Sequence, residues 1–142
     1  MIAKQLSIFM ENRKGRIGEV LDVLKKNKVN ILSLSLADTT EYGLLRLIVD
    51  NAELGKEKLA SFGFSTMLTN VLIVEIEHKA GSLQVILEVL SKNDINIEYM
   101  YGLSIENSNA YIVIKTSNLE NADAILNASG IKTITAEQIL GE

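Results

Sequence analysis

Residues 15–31 of this chain reappear at 81–97 without a gap, at an offset of 66. Over 5–31 against 71–97 ten residues are identical: Leu6/Leu72, Glu11/Glu77, Gly15/Gly81, Leu21/Leu87, Val23/Val89, Leu24/Leu90, Lys26/Lys92, Asn27/Asn93, Asn30/Asn96 and Ile31/Ile97. Two copies of one supersecondary unit share one fold, so the repeat constrains every later reading. The 142 residues, a length that alone suggests one domain, are read as two units, 1–69 and 70–142. A core of that size is marginal by itself. The units are expected to pack as one body, joined at Thr69-Asn70 without a Gly/Ser-rich linker. With 47% hydrophobic but 5% aromatic residues, the core is expected to be aliphatic.

In the first copy Leu6, Ile8 and Met10 alternate with Gln5, Ser7 and Glu11, which predicts a half-buried strand. A polar loop, Asn12-Arg13-Lys14-Gly15-Arg16, follows. Ile17, Val20, Leu21 and Leu24 then make the stripe of an amphipathic helix. Residues 29–37 return to period two, 38–43 form a turn, and 44–49 form a strand apolar on both faces apart from Arg46. A short helix over 53–61, carrying Leu54 and Leu59, and a strand over 64–68 complete the unit. The second copy repeats the order. A strand carries Leu72, Val74 and Ile76, and the loop is His78-Lys79-Ala80-Gly81-Ser82. The next helix has the stripe Leu83, Ile86, Leu87, Leu90. A strand over 95–103, a turn at 106–109 and a strand over 110–115 follow. A helix over 119–128 with Ile125 and Leu126 inward and a strand over 131–135 end the copy.

This βαββαβ order, twice, predicts an α+β fold of two ferredoxin-like sandwiches, each an antiparallel sheet with helices on one face. Phe9, Ile73, Leu45, Leu47, Tyr111 and Val113 are expected to include apolar residues on the bare sheet face. Such area implies another layer, and a homodimer formed through those faces is expected.

The net charge is −4 with scattered basic residues, which argues against nucleic acid as a partner. There is no cysteine, hence no disulfide framework or thiolate chemistry. No apolar run is long enough for a transmembrane helix. The first residues do not read as a secretory signal, so a cytoplasmic protein without membrane association is expected.

No catalytic set is visible: no HExxH, GxSxG or P-loop, and one histidine. His78 stands where the first copy has Asn12. It reads either as a loop-edge residue bonded locally or as a ligand contact, and a lone His is a poor metal ligand. Gly15 and Gly81 permit a tight turn. They also permit close approach of a small anion to the free N–H groups of the following helix. The carboxamides of Asn30 and Asn96 suit either an amino acid or a brace across the helix-to-strand turn.

A Gly loop, an apolar helix stripe ending in Leu-x-x-Asn, and Asn-Ile opening the next strand resemble the ACT domain. The resemblance covers about residues 4–138. It departs from the family pattern in having Lys14 and Ala80 in place of the frequent Pro, and His78 in place of Asp or Asn. It implies a sensor of amino acids or related metabolites, in which the Gly loop of one unit meets the second strand of its neighbour. By position, Asn12, Lys14, Gly15, Arg16 and Ile17 would face Asn96, Ile97 and Glu98. His78, Ala80, Gly81, Ser82 and Leu83 would face Asn30, Ile31 and Leu32. Because Glu98 replaces Leu32, the two sites are expected to differ. The resemblance implies no catalysis, no cofactor and no metal. With no enzyme within the 142 residues, output would pass to a separate regulated protein.

Two other functions fit less of the sequence. One is an assembly module without a ligand. The other is an acylphosphatase-like hydrolase in which Arg13 and Arg16 cradle a phosphoryl group. RNA binding fits least, since Tyr99 and Tyr101 are not matched by a paired aromatic platform.

Overall fold

A computed structural model describes residues 1–11, 13–38, 41–77, 79–104 and 110–140, with the backbone alone considered at Asp38 and Ser104. The turn expected at 38–43 falls partly outside these residues, and the one at 106–109 wholly so. The chain divides into two compact units. One is Lys4–Thr69; the other is Asn70–Glu142 together with Met1–Ala3. The first three residues have a physical reason to group there. Ile2 packs against the second core, and the Met1 ammonium donates to both Asp123 carboxylate oxygens at 2.7 Å and to Thr133 Oγ1 at 2.8 Å.

The first unit contains β1 (Ala3–Glu11), α1 (Arg16–Lys26), β2 (Ile31–Asp38), β3 (Tyr42–Val49), α2 (Ala52–Ser61) and the start of β4 (Ser65–Ile76). The second contains the rest of β4, α3 (Ser82–Lys92), β5 (Ile97–Ser104), β6 (Ala110–Thr116), α4 (Leu119–Ala128), β7 (Thr133–Ile134) and α5 (Ala136–Leu140). Each unit is a ferredoxin-like sandwich. In the first, β3 pairs antiparallel with β1 and with β2, and Ser7 Oγ lies 3.0 Å from Thr69 Oγ1 of β4. In the second, β4, β6 and β5 pair in the same way and β7 adds to β4.

The register shows which residues face the helices. Leu6 pairs with Leu47 and Ile8 with Leu45, and all four join Val20, Leu24 and Leu59 in the core. Leu72 and Val74 pair with Ile114 and Ile112 and pack with Ile86, Leu90, Ala122 and Leu126. A fully buried leucine contributes about 1.5–3 kcal/mol, so these aliphatic faces are what holds each sandwich closed. In the α1 stripe, Val20 and Leu24 are buried as expected and Val23 joins them. In α3, Leu83 is an exposed member of its stripe, 36% accessible.

The repeated Leu-x-x-Asn has a structural role. Asn27 Nδ2 donates to Val23 O, and Asn93 Nδ2 donates to Val89 O, both at 2.8 Å. The following Lys28 and Asp94 take left-handed φ values of 57° and 59°. Val29 and Ile95 then donate back to Leu24 and Leu90. Carbonyls at the helix ends are thereby satisfied.

Four expectations need correction. Leu45 and Leu47 do not lie on a bare face; their partners Ile8 and Leu6 place them under the helices. Ile73, Val113 and Tyr111 are on the other face but are buried within the single chain, leaving Phe9 (46% exposed) alone of that set at the surface. An apolar strand gives no alternation from which to tell its faces, so only the cross-strand register decides. Nor is β1 half-buried: Gln5 (0% exposed) and Ser7 are inside, where Gln5 Nε2 donates to Ser7 Oγ. Finally, the strand expected over 131–135 is the two residues Thr133–Ile134. Beyond it Thr135 and Gln138 cap α5 reciprocally, through Gln138 N–H to Thr135 Oγ1 and Thr135 N–H to Gln138 Oε1.

Candidate functional site

The two Gly loops have the same backbone. Gly15 and Gly81 precede α1 and α3 with φ of 90° and 88°, in the left-handed region, and neither helix has a side-chain cap among the described residues. Arg16 N–H bonds to Arg13 O, and Ser82 N–H bonds to Lys79 O. The first-turn N–H groups beyond these have no carbonyl four residues back to bond, and they sit at the positive end of the helix dipole. Lys14, Gly15, Arg16 and Ile17 are thus brought together at one end of their unit, as are Ala80, Gly81, Ser82 and Leu83 in the other. Asn12 and His78 lie outside the described residues. Ile17 also packs against the first core.

Around the second loop the chain forms a groove of about 800 Å3. Its walls are the end of β4 (Glu75, Ile76, Glu77), the loop (Lys79, Ala80, Gly81, Ser82), the first turns of α3 (Val85, Ile86) and the α4–β7 connection (Gly130, Ile131, Lys132). Both charge signs are present. Lys79 Nζ is 2.9 Å from Glu77 Oε2 and Lys132 Nζ is 3.9 Å from Glu75 Oε2. Ser82 Oγ is buried there with no hydrogen-bond partner among the described residues. The corresponding positions of the first unit are filled differently. Arg16 Cζ lies 4.4 Å from the centroid of the Phe64 ring, and Arg16 Nη1 is 2.6 Å from Glu19 Oε2.

The strand openings form a second repeated feature. Both β2 and β5 carry a register shift, between Ile31 and Ser33 and between Ile97 and Tyr99. Leu32 and Glu98 therefore occupy the same bulge, a device that re-aims a side chain out of the ladder. Ile31 and Ile97 pack against their cores. Asn30 braces the turn: its N–H and Nδ2 donate to Asp50 Oδ1 and Oδ2 at 2.9 and 2.8 Å. Asn96 is exposed and makes no hydrogen bond among the described residues. Glu98 Oε2 is 3.8 Å from Lys115 Nζ. Within one unit the Gly loop and the strand opening are at opposite ends of an 11-residue helix, about 16 Å apart. One unit by itself does not bring its own two sets together.

Sequence reasoning missed Phe64, Glu75, Ile131 and Lys132. A signal was available, because Gly63 and Gly130 both have left-handed φ, 88° and 79°, and stand before Phe64 and Ile131. Their spacing is 67 rather than 66, which hides them from a gapless comparison. Among the described residues no group of three or more His, Cys, Asp or Glu could hold a metal, and no helix is long and apolar enough to cross a membrane.

Two ferredoxin-like units with repeated left-handed Gly loops and bulged second strands define a tandem of ACT-type domains. The chain belongs to the ACT domain pair family, whose model matches residues 1–141. It is similar to the crystal structure of protein BT0572 from Bacteroides thetaiotaomicron, at 34% identity, with 94% of this chain and 92% of that one covered and a TM-score of 0.89. The fold is also that of the ligand-free regulatory subunit of aspartate kinase from Thermus thermophilus, at 16% identity, 89% and 90% coverage and a TM-score of 0.62. The Thermus flavus regulatory subunit gives 16%, 88% of each chain and 0.59. No curated protein matches the chain.

Proposed function

We propose that this protein is a non-catalytic regulatory sensor that binds an amino acid through a Gly loop. The observation that carries this reading is the groove at Gly81. A zwitterion needs donors for a carboxylate and acceptors for an ammonium, set a few ångströms apart. Free first-turn amides, Ser82 Oγ, Lys79 and Lys132 supply the first; Glu75 and Glu77 supply the second. The strand openings, with Asn30, Ile31 and Leu32 or Asn96, Ile97 and Glu98, are proposed to read the remainder of the ligand from a neighbouring unit. Arg13 and Arg16 support a phosphoryl cradle poorly, because Arg16 is folded onto the Phe64 ring and the second loop has Lys79 and Ser82 at the equivalent positions.

The reading extends to a separate regulated protein, to a homodimer and to the cytoplasm. Exposed Leu34 (52%) and Leu36 on β2 support self-association in place of the buried sheet residues first considered. A thermal-shift panel of the twenty amino acids tests the central claim. Ligand at ~100 times its dissociation constant stabilises by about 2.7 kcal/mol, roughly 5–10 °C for a chain of this size. A flat response to all twenty would refute it.

A further inference from the structure

We propose that the first Gly loop is closed by its own Arg16, so that the chain takes one amino acid, at the second loop. Where the groove at Gly81 is lined by Ser82, Val85 and Ile131, the first unit has Arg16, Glu19 and Phe64. Arg16 is long enough to fold back across this space, and it does. Its guanidinium stacks on the Phe64 ring at 4.4 Å, a cation–π geometry. Its Nη1 is held by Glu19 at 2.6 Å, and the side chain is only 20% exposed. Phe64 itself is buried.

Closure changes the chemistry of the loop as well as its space. The guanidinium is held between Glu19 and the Phe64 ring, and its Nε is buried without a hydrogen-bond partner among the described residues. Ser82 has no such reach. The second loop keeps its groove, with Ser82 Oγ buried and without a hydrogen-bond partner among the described residues. The ligand class rests on the amino-acid reading above; the closure of the first loop does not.

Phenylglyoxal modification of the full-length protein, mapped by peptide mass spectrometry, tests closure without any ligand. Arg16 is expected to react at least tenfold more slowly than Arg13, whose side chain is 62% exposed. Phe64→Leu, checked for an unchanged circular dichroism spectrum, should bring Arg16 close to the Arg13 rate. Equal rates in the unaltered protein would overturn the proposal. Calorimetry with whichever of the twenty amino acids gives the largest thermal shift then counts sites. One per chain is expected, rising to two in Arg16→Ser, with binding at least tenfold weaker in Ser82→Arg. Two sites in the unaltered protein, or a count that does not rise in Arg16→Ser, would overturn single occupancy. A protected Arg16 with no response to any amino acid would uphold closure and remove the amino-acid reading.

Discussion

Asn51 and Asn118 stand in the same place in the two units, 67 positions apart. Each side-chain oxygen accepts a hydrogen bond from the backbone N–H three residues on, Leu54 at 3.2 Å and Asn121 at 3.1 Å. Both cap their helices, α2 and α4. An N-cap oxygen satisfies a donor that the helix cannot. Asn51→Ala and Asn118→Ala should each lower stability by about 1 kcal/mol, measured by denaturant unfolding. Asn51→Asp should retain nearly all of it.

Gly15 and Gly81 differ from the other loop residues in what a methyl group would do. An added Cβ meets nothing within 4 Å at either position, so crowding is not the issue. The left-handed φ is. Gly15→Ala and Gly81→Ala should each cost about 1–2 kcal/mol through backbone strain alone. Equilibrium unfolding reads this directly, and similar losses at both positions would confirm that the two loops share one geometry.

Gly55 of α2 packs against Leu6 of β1 and Leu24 of α1. An added Cβ would sit 3.0 Å from Leu6 Cδ2 and 3.3 Å from Leu24 Cδ2, both fully buried. Alanine gains about 1 kcal/mol of helix propensity over glycine, whereas overpacking a core costs about 1–3 kcal/mol. Gly55→Ala should therefore be net destabilising by roughly 1 kcal/mol. The second unit makes the opposite choice, with Ala122 fully buried at that place. There Ala122→Gly should lose about 1 kcal/mol. Melting temperatures of the two variants are the test.

Asp123 accepts hydrogen bonds from the Met1 ammonium, Thr133 and Asn127. Burial works to raise its pKa, but those bonds and the ammonium charge outweigh it and hold the carboxyl below its usual value of 3.8. A depressed carboxyl contributes stability above its unfolded value and loses it as pH falls through the folded one. The contribution should thus be complete at neutral pH and disappear only below about pH 4. Asp123→Asn should be less stable at pH 7 and lose less on acidification. Melting temperatures between pH 7 and 2.5 would show the two curves converging at the acid end.

Much of the fold was legible in the repeat. Leu6, Ile8, Val20 and Leu24 alternate or recur at the period of their element, and hydrophobic burial makes that period visible in one sequence. Gly15 and Gly81 were legible as loop glycines because no other residue adopts their φ as readily. Three features were not. The burial of Gln5 and Ser7 depends on a hydrogen bond between two polar side chains that pattern reads as exposed. The bulges at Leu32 and Glu98 depend on pairing with β3 and β6, which no single strand encodes. The stacking of Arg16 on Phe64 joins residues 48 positions apart in sequence, and nothing local in either stretch announces it. The capping pair Thr135 and Gln138 stands at the spacing S/T-x-x-E/Q, a signal that reading 131–135 as a strand passed over.

The change of spacing from 66 to 67 has a practical consequence. Asp38 pairs with Gly43, and Ser104 with Ala110, so between β1 and Gly63, or β4 and Gly130, the copies differ in length only within this one connection. Everything before it corresponds residue for residue, and so does everything from β3 and β6 through the helices α2 and α4. The hairpin is therefore a seam. A hybrid unit that takes one copy up to Tyr42, connection included, and the other from Ala110 onward puts Ala110 opposite Asp38 as Gly43 is, and so preserves every strand register on both sides of the join. Such hybrids would let a Gly loop from one copy be combined with the helix cap and left-handed glycine of the other.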